Sequence, residues 1–160
     1  LAEMAGLAGR GARHQIALAD GGTALLIDES YNANPASMRA TLAQLGATPA
    51  RRRIAVLGAM KELGDFTPAF HAALAEPLAA SGAEFAVLVG PEMDALTREL
   101  GKAGDDTLGK PIRFAHCANT DEAIAALSAF GLEGGDAVLV KGSNSVGLAG
   151  LVAHFSGKGG

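Results

Sequence analysis

The sequence predicts an α/β fold: a mostly parallel sheet of about six strands, helices on both faces, and an N-terminal β-hairpin. Three observations carry this. Short, almost wholly apolar runs such as Leu25-Leu26-Ile27, Ile54–Leu57 and Phe85–Val89 recur along the chain, the composition of strands buried on both sides. Segments with helical signals alternate with these runs. An Asp-Gly-Gly turn near the start marks two strands joined directly.

The elements follow in order. His14–Leu18 and Gly22–Asp28 flank Ala19-Asp20-Gly21 as the arms of the hairpin. Asn34-Pro35 then reads as an N-cap with proline at the first helical position. Met38, Leu42 and Leu45 recur at i, i+4 and i+7, one face of a helix ending near Gly46. Ile54–Leu57 is the next strand, closed by Gly58. Thr67-Pro68 opens a helix to Ala80, in which Pro77 predicts a kink or a break. Phe85–Val89 is a strand, Gly90-Pro91 a turn, and Glu92–Leu100 a helix. Lys102–Lys110 is a polar, Gly-rich loop and Ile112–Ala115 a weaker strand. Asn119 or Thr120 caps a helix through Phe130, with Asp121 and Glu122 at the positive end of its dipole. Ala137–Val140 is the last strand, Gly147–Phe155 the last helix, and the Ser-Gly-Lys-Gly-Gly end a frayed tail. The alternation is that of a Rossmann-like sheet.

Composition narrows the classes of function. At roughly 150 residues per domain, 160 residues make about one domain, and 49% hydrophobic residues supply its core. A net charge of −4 argues against a nucleic-acid surface, and six Phe, one Tyr and no Trp argue against a base-stacking platform. One cysteine allows neither a disulfide framework nor a thiolate zinc site. No apolar run approaches the ~20 residues that span a bilayer. The start, through His14, lacks a basic stretch followed by an apolar one, so a cytoplasmic setting is expected. Opening on Leu rather than Met, the chain reads as a piece of a longer polypeptide.

In open α/β sheets, ligands bind outside the carboxyl ends of the strands. That rule selects Asp28–Asn34, Gly58–Asp65, Gly90–Glu92, His116–Asn119 and Lys141–Ser145 before any residue is inspected, and polar residues concentrate in these loops. Asp28 ends a buried strand and is either a ribose-diol acceptor or a turn residue. Asn32 is a candidate for an adenine edge, with Tyr31 beside it, whereas Asn34 is more simply the helix cap. Arg10, between Gly9 and Gly11, is either a phosphate clamp or a linker arginine. Lys141-Gly142-Ser143-Asn144-Ser145 lies between a strand and a helix and suits an anion, carboxylate or phosphate, or is an ordinary helix start. Its spacing is not that of a P-loop. His14, His71, His116 and His154 are scattered without metal-ligand spacing, and Cys117 reads as a packed side chain. No nucleophile elbow or triad order is present, so no self-sufficient catalytic set is expected.

Three strings carry a resemblance. They are Asp28-Glu29-Ser30-Tyr31-Asn32-Ala33-Asn34-Pro35-Ala36-Ser37-Met38, Ile54-Ala55-Val56-Leu57-Gly58-Ala59-Met60-Lys61-Glu62-Leu63-Gly64, and Val138-Leu139-Val140-Lys141-Gly142-Ser143, preceded by Gly9-Arg10-Gly11. From about Gly9 to Phe155 the chain resembles the C-terminal domain of the Mur ligases of peptidoglycan synthesis, in particular the branch that adds D-alanyl-D-alanine to UDP-N-acetylmuramoyl-tripeptide.

The resemblance implies the last of three domains. Residues 1–8 would be a linker or the tail of the preceding ATP-binding domain, 9–156 the C-terminal domain, and 157–160 a disordered tail. The first domain would bind the UDP-muramyl tripeptide, and the central domain would carry the P-loop, the Mg2+ ligands and a carbamylated lysine; neither is in this piece. In the family, ATP phosphorylates the tripeptide carboxylate, and the dipeptide amine attacks the acyl phosphate. The C-terminal domain closes over ATP and dipeptide and is inactive alone. By this resemblance Arg10 reaches the ATP phosphates, Asp28 the ribose, and Tyr31 and Asn32 the adenine. Lys141, Gly142 and Ser143 face the D-alanyl-D-alanine, and no metal ligand lies in this piece. The chain departs from the family at Ala59, usually aspartate, at Asn144, often arginine, and at Leu148-Ala149, where Met-Glu is common, so no charged contact carries over there. Two other readings fit the same loops: a stand-alone nucleotide or amino-acid binding module, and the C-terminal domain of a folylpolyglutamate synthetase, against which the Tyr-Asn-Ala-Asn-Pro string speaks.

Overall fold

The computed structural model describes residues 9–102 and 112–157. Six strands form one sheet in the order β1-β2-β6-β3-β4-β5. They are β1 (Ala12–Ala17), β2 (Thr23–Glu29), β3 (Arg52–Gly58), β4 (Ala83–Val89), β5 (Arg113–Cys117) and β6 (Asp136–Lys141). Only β1 runs antiparallel, pairing Ala12 with Asp28 and Ala17 with Thr23. The other neighbours are parallel. The expected sheet and opening hairpin are both present. The hairpin turn spans Leu18–Gly22, closed by Leu18 N–H to the Gly22 carbonyl at 2.9 Å.

Residues alternate between two cores. Ile27, Ala55, Leu57, Ala86, Leu88, Ala137 and Leu139 face one side. Leu26, Ile54, Val56, Val87, Val138 and Val140 face the other. Ile54–Leu57 are fully buried because both faces are covered. The first core is covered by α1 (Pro35–Ala47), α3 (Ala75–Ala80) and α4 (Asp94–Lys102), with α2 (Thr67–Ala72) packed against α4, and the second by α5 (Thr120–Phe130) and α6 (Ala149–Phe155).

Local chemistry sets the helix ends. Asn34 caps α1: its Oδ1 accepts the Ser37 N–H at 2.9 Å, and Ser37 Oγ accepts the Asn34 N–H at 3.0 Å. Asn119, rather than Thr120, caps α5. The predicted Thr67–Ala80 helix is two helices. The break falls at Ala73-Leu74, one turn before Pro77, where the proline cannot donate to the Ala73 carbonyl; Pro77 itself sits in the first turn of α3. At the amino edge of the sheet, Arg52 grips Asp136 with Nε to Oδ1 at 2.9 Å and Nη2 to Oδ2 at 2.7 Å. Its Nη2 also reaches the Gly131 carbonyl behind α5 at 2.8 Å, and the guanidinium lies 4.5 Å from the Phe130 ring centroid. Residues 1–8, 158–160 and all but Lys102 of the Lys102–Lys110 loop lie outside the described residues.

Candidate functional site

The chain leaves β2 and β3 toward the first core but leaves β6 toward α6 on the second. Because β6 lies between β2 and β3, the three connections diverge and open a crevice at their carboxyl ends, as at a topological switch point. It holds a cleft of about 310 Å³ lined by Tyr31, Asn32, Ala33, Lys61, Glu62, Ser143 and Ser145. Three of the five loops selected from the sequence therefore meet at one site.

The other two meet at a second divergence, between β4 and β5. A hollow of about 390 Å³ there is lined by Pro91, His116, Cys117, Ala118 and Glu122. Its polar groups are engaged: His116 Nε2 lies 2.7 Å from the Gly90 carbonyl oxygen, and Glu122 Oε1 accepts the Ala118 N–H at 2.8 Å. Burial, and secondarily the Glu122 charge, pushes the Cys117 thiol above its ordinary value. The β2–β6–β3 cleft is the better-equipped site.

Two glycines let its loops approach. A Cβ on Gly142 would stand 3.1 Å from Gly58 Cα and 2.9 Å from Leu148 Cδ1. Any larger residue would force the ends of β3 and β6 apart.

Beside the cleft, the chain before β1 is stitched to the chain after β2. Gly9 N–H donates to Asp28 Oδ2 at 2.9 Å, Tyr31 N–H to the Gly9 carbonyl at 3.0 Å, and Gly11 N–H to the Asp28 carbonyl at 2.8 Å. Gly9 has φ +78°, and a Cβ there would meet Tyr31 Cβ at 2.9 Å. The seam sets the Arg10 guanidinium 4.0 Å from the Tyr31 ring centroid, a cation–π contact. Arg10 and Tyr31 are both exposed, Tyr31 at 45%.

Asp28 is only 4% exposed. Besides Gly9 N–H, it accepts the Ser30 N–H at 3.0 Å and the Ser30 hydroxyl at 2.6 Å through Oδ1. Of the two sequence readings, the turn role describes these contacts. Asn32 is exposed, with Oδ1 on the Ala33 N–H at 2.9 Å. Of the Lys141-Gly142-Ser143 run, only Ser143 lines the cleft, its Oγ 3.1 Å from that of Ser145. Lys141 is buried and turns back to donate to the Asn32 carbonyl at 2.6 Å. Burial holds its ammonium below the usual lysine value, with Glu29 pulling the other way. Burial likewise lifts the Glu29 carboxyl, against the pull of Lys141.

Lys61, Glu62 and Ser145 were not singled out as site residues from the sequence, although their loops were. Lys61 pairs with Glu92 at 2.8 Å. Burial works to raise the Glu92 carboxyl, but the Lys61 hydrogen bond, its own backbone and the Lys61 charge carry it below the ordinary range. Behind this loop His71 is fully buried. Its Nε2 accepts the Met60 N–H at 3.0 Å and its Nδ1 lies 2.7 Å from the Thr67 carbonyl oxygen, so Nδ1 carries the proton. His71 is thus structural, as expected.

The Mur ligase, glutamate ligase domain profile matches residues 12–144. The UDP-N-acetylmuramoyl-tripeptide–D-alanyl-D-alanine ligase of Synechocystis sp. is 39% identical over 149 residues, covering 92% of this chain and 30% of the relative. The ligase of the same name from Mycobacterium tuberculosis is 36% identical, covering 85% of this chain and 29% of the relative. Among solved structures, a MurF from Acinetobacter baumannii superposes with TM-score 0.73 at 27% identity, over 95% of this chain and 31% of that one. The MurF ligase from Thermotoga maritima in complex with ADP shares the fold, with TM-score 0.72 at 24% identity over 96% of this chain and 31% of that one. The chain therefore spans about 30% of the length of the curated relatives it matches. Among the described residues, no helix is long and apolar enough to cross a membrane. With its strand order, its loop motifs and a profile match over most of its length in agreement, the chain belongs to the Mur ligase family and forms that family's glutamate ligase domain.

Proposed function

We propose that this chain is the C-terminal domain of a cytoplasmic ligase that uses ATP to join D-alanyl-D-alanine to UDP-N-acetylmuramoyl-tripeptide, and that its crevice closes over ATP and the dipeptide. The observation that carries this reading is the meeting of the Tyr31-Asn32, Lys61-Glu62 and Ser143-Ser145 loops in one cleft at the switch point. The curated relatives named for that reaction supply the substrate class.

The residues present fit a nucleotide at the rim. Arg10 offers a fixed guanidinium for phosphate oxygens. Tyr31 and Asn32 offer an aromatic edge and an amide for the base. Asp28, with three hydrogen bonds already accepted, supports the rim and has its remaining acceptor capacity for the ribose. Ser143 faces the dipeptide, while Gly142 and Lys141 shape and tether its loop. ATP supplies the activation of the tripeptide carboxylate; the residues of this chain orient the reactants and exclude water. Among the described residues no three His, Cys, Asp or Glu side chains gather into a metal site. A Mg2+ ion accompanying the nucleotide would be bound mainly by the central domain of the longer polypeptide.

The test is turnover by the full-length polypeptide. With ATP, Mg2+ and UDP-N-acetylmuramoyl-tripeptide, phosphate release should depend on D-alanyl-D-alanine. Release dependent instead on glutamate and a folate would select the folylpolyglutamate reading, and nucleotide or amino-acid binding without turnover would select a stand-alone sensor.

A further inference from the structure

Glu62 is the one non-glycine residue with positive φ, +62°, among the described residues. Such a backbone is costly and persists only where its surroundings over-determine it. Here they do. On one side, Met60 N–H is fixed by the buried His71 ring and Lys61 is pinned by Glu92. On the other, the Phe66 N–H donates to the Leu63 carbonyl at 3.1 Å. The strain falls on an exposed residue at the lining of the cleft. Glycine at that position would remove the strain, as Gly64 with φ +58° shows two residues on.

The neighbouring charges are committed. Lys61 is paired with Glu92, Lys141 with the Asn32 carbonyl, and Asp28 with Gly9 and Ser30. Among the described residues, nothing hydrogen-bonds or ion-pairs with the Glu62 carboxylate. It is the one acidic residue among those lining the cleft, which Ser143 and Ser145 line too.

We propose that Glu62 is the residue that holds the ammonium end of the incoming amino-acid or peptide substrate, with the Ser143 and Ser145 hydroxyls placed for the other end. A carboxylate in a cleft selects a cation, and the serine pair selects an acceptor such as a carboxylate. Together they match a zwitterion bearing a free amine. This deepens the reading given under Proposed function and rests on it.

The test uses the full-length ligase with D-alanyl-D-alanine as varied substrate. Glu62→Gln should raise KM for the dipeptide about ten- to a hundredfold, the worth of a hydrogen bond to a charged group, and leave KM for ATP and the melting temperature unchanged. Glu62→Gly should raise the dipeptide KM similarly while raising the melting temperature. N-acetyl-D-alanyl-D-alanine, which lacks the ammonium, should inhibit wild type and Glu62→Gln equally. An unchanged dipeptide KM in Glu62→Gln, or equal rises in both KM values with a lower melting temperature, overturns the proposal while the ligase reading stands. A wild-type enzyme that does not use D-alanyl-D-alanine overturns both.

Discussion

The Lys141 ammonium, buried at the end of β6, donates a 2.6 Å hydrogen bond to the main-chain carbonyl of Asn32 in the loop after β2. One charged side chain thus ties together two loops more than a hundred residues apart in sequence. It acts on the cleft by holding its wall rather than by projecting into it. Lys141→Met, which keeps the apolar stem and loses the tether, should speed amide exchange at Ala33 and its neighbours well above wild type while the β3 amides stay protected. Equal protection in both proteins would show that the loop holds itself.

Asp28 supports the same loop from its other end, through Gly9 and Ser30. In the full-length ligase, Asp28→Ala should raise KM for ATP about ten- to a hundredfold, from the loss of hydrogen bonds to a charged group. Kinetics at limiting ATP read this directly, and an unchanged value would remove Asp28 from the nucleotide rim.

Glu29 gives a pH signature. Burial raises its carboxyl above 4.5, so the folded protein binds this proton more tightly than the unfolded chain. The stabilising contribution is complete below about pH 4.5 and is lost as pH rises through the elevated value. Glu29→Gln should therefore be more stable than wild type near pH 7, with the gap closing below pH 4.5. Thermal melts across that range that ran parallel would contradict the assignment.

The Arg52–Asp136 pair is asymmetric: the Asp136 side chain is 0% exposed and that of Arg52 22%. Arg52→Ala strands a buried carboxylate and should cost about 3–5 kcal/mol in urea denaturation. Asp136→Asn leaves an arginine that can reach water, and should cost less. The reverse order would mean that Asp136 matters more through the Glu133 N–H it accepts than through the arginine.

Gly142→Ala inserts a methyl group against Gly58 and Leu148. It should destabilise the protein by about 1–3 kcal/mol and, although no polar group is removed, raise KM for the dipeptide. A fully stable variant with normal kinetics would show that the two strand ends can part freely.

Much of the fold was legible because its signals are local and physical. Apolar runs gave the strands, and Asn34-Pro35 and Asn119 gave two helix starts. The carboxyl-edge rule chose five loops, three of which meet in one cleft, since strand order decides where connections diverge. Side-chain direction was not legible. Lys141 at the end of a strand looks the same in sequence whether it points to solvent or folds back on Asn32; only the long-range packing of β2 on β6 decides. Asp28 hid its partners for the same reason, since Gly9 lies 19 residues away. Glu62 was missed because nothing in a Lys-Glu-Leu-Gly string announces a left-handed glutamate.

The seam between Gly9 and Tyr31 has a mechanical consequence. The polypeptide arriving at β1 is fastened to the lip of the crevice, not to the sheet interior, so a tug or twist applied upstream reaches Arg10 and Tyr31 before it reaches any core residue. The direction in which the chain enters β1 is thereby tied to the placement of Arg10 and Tyr31.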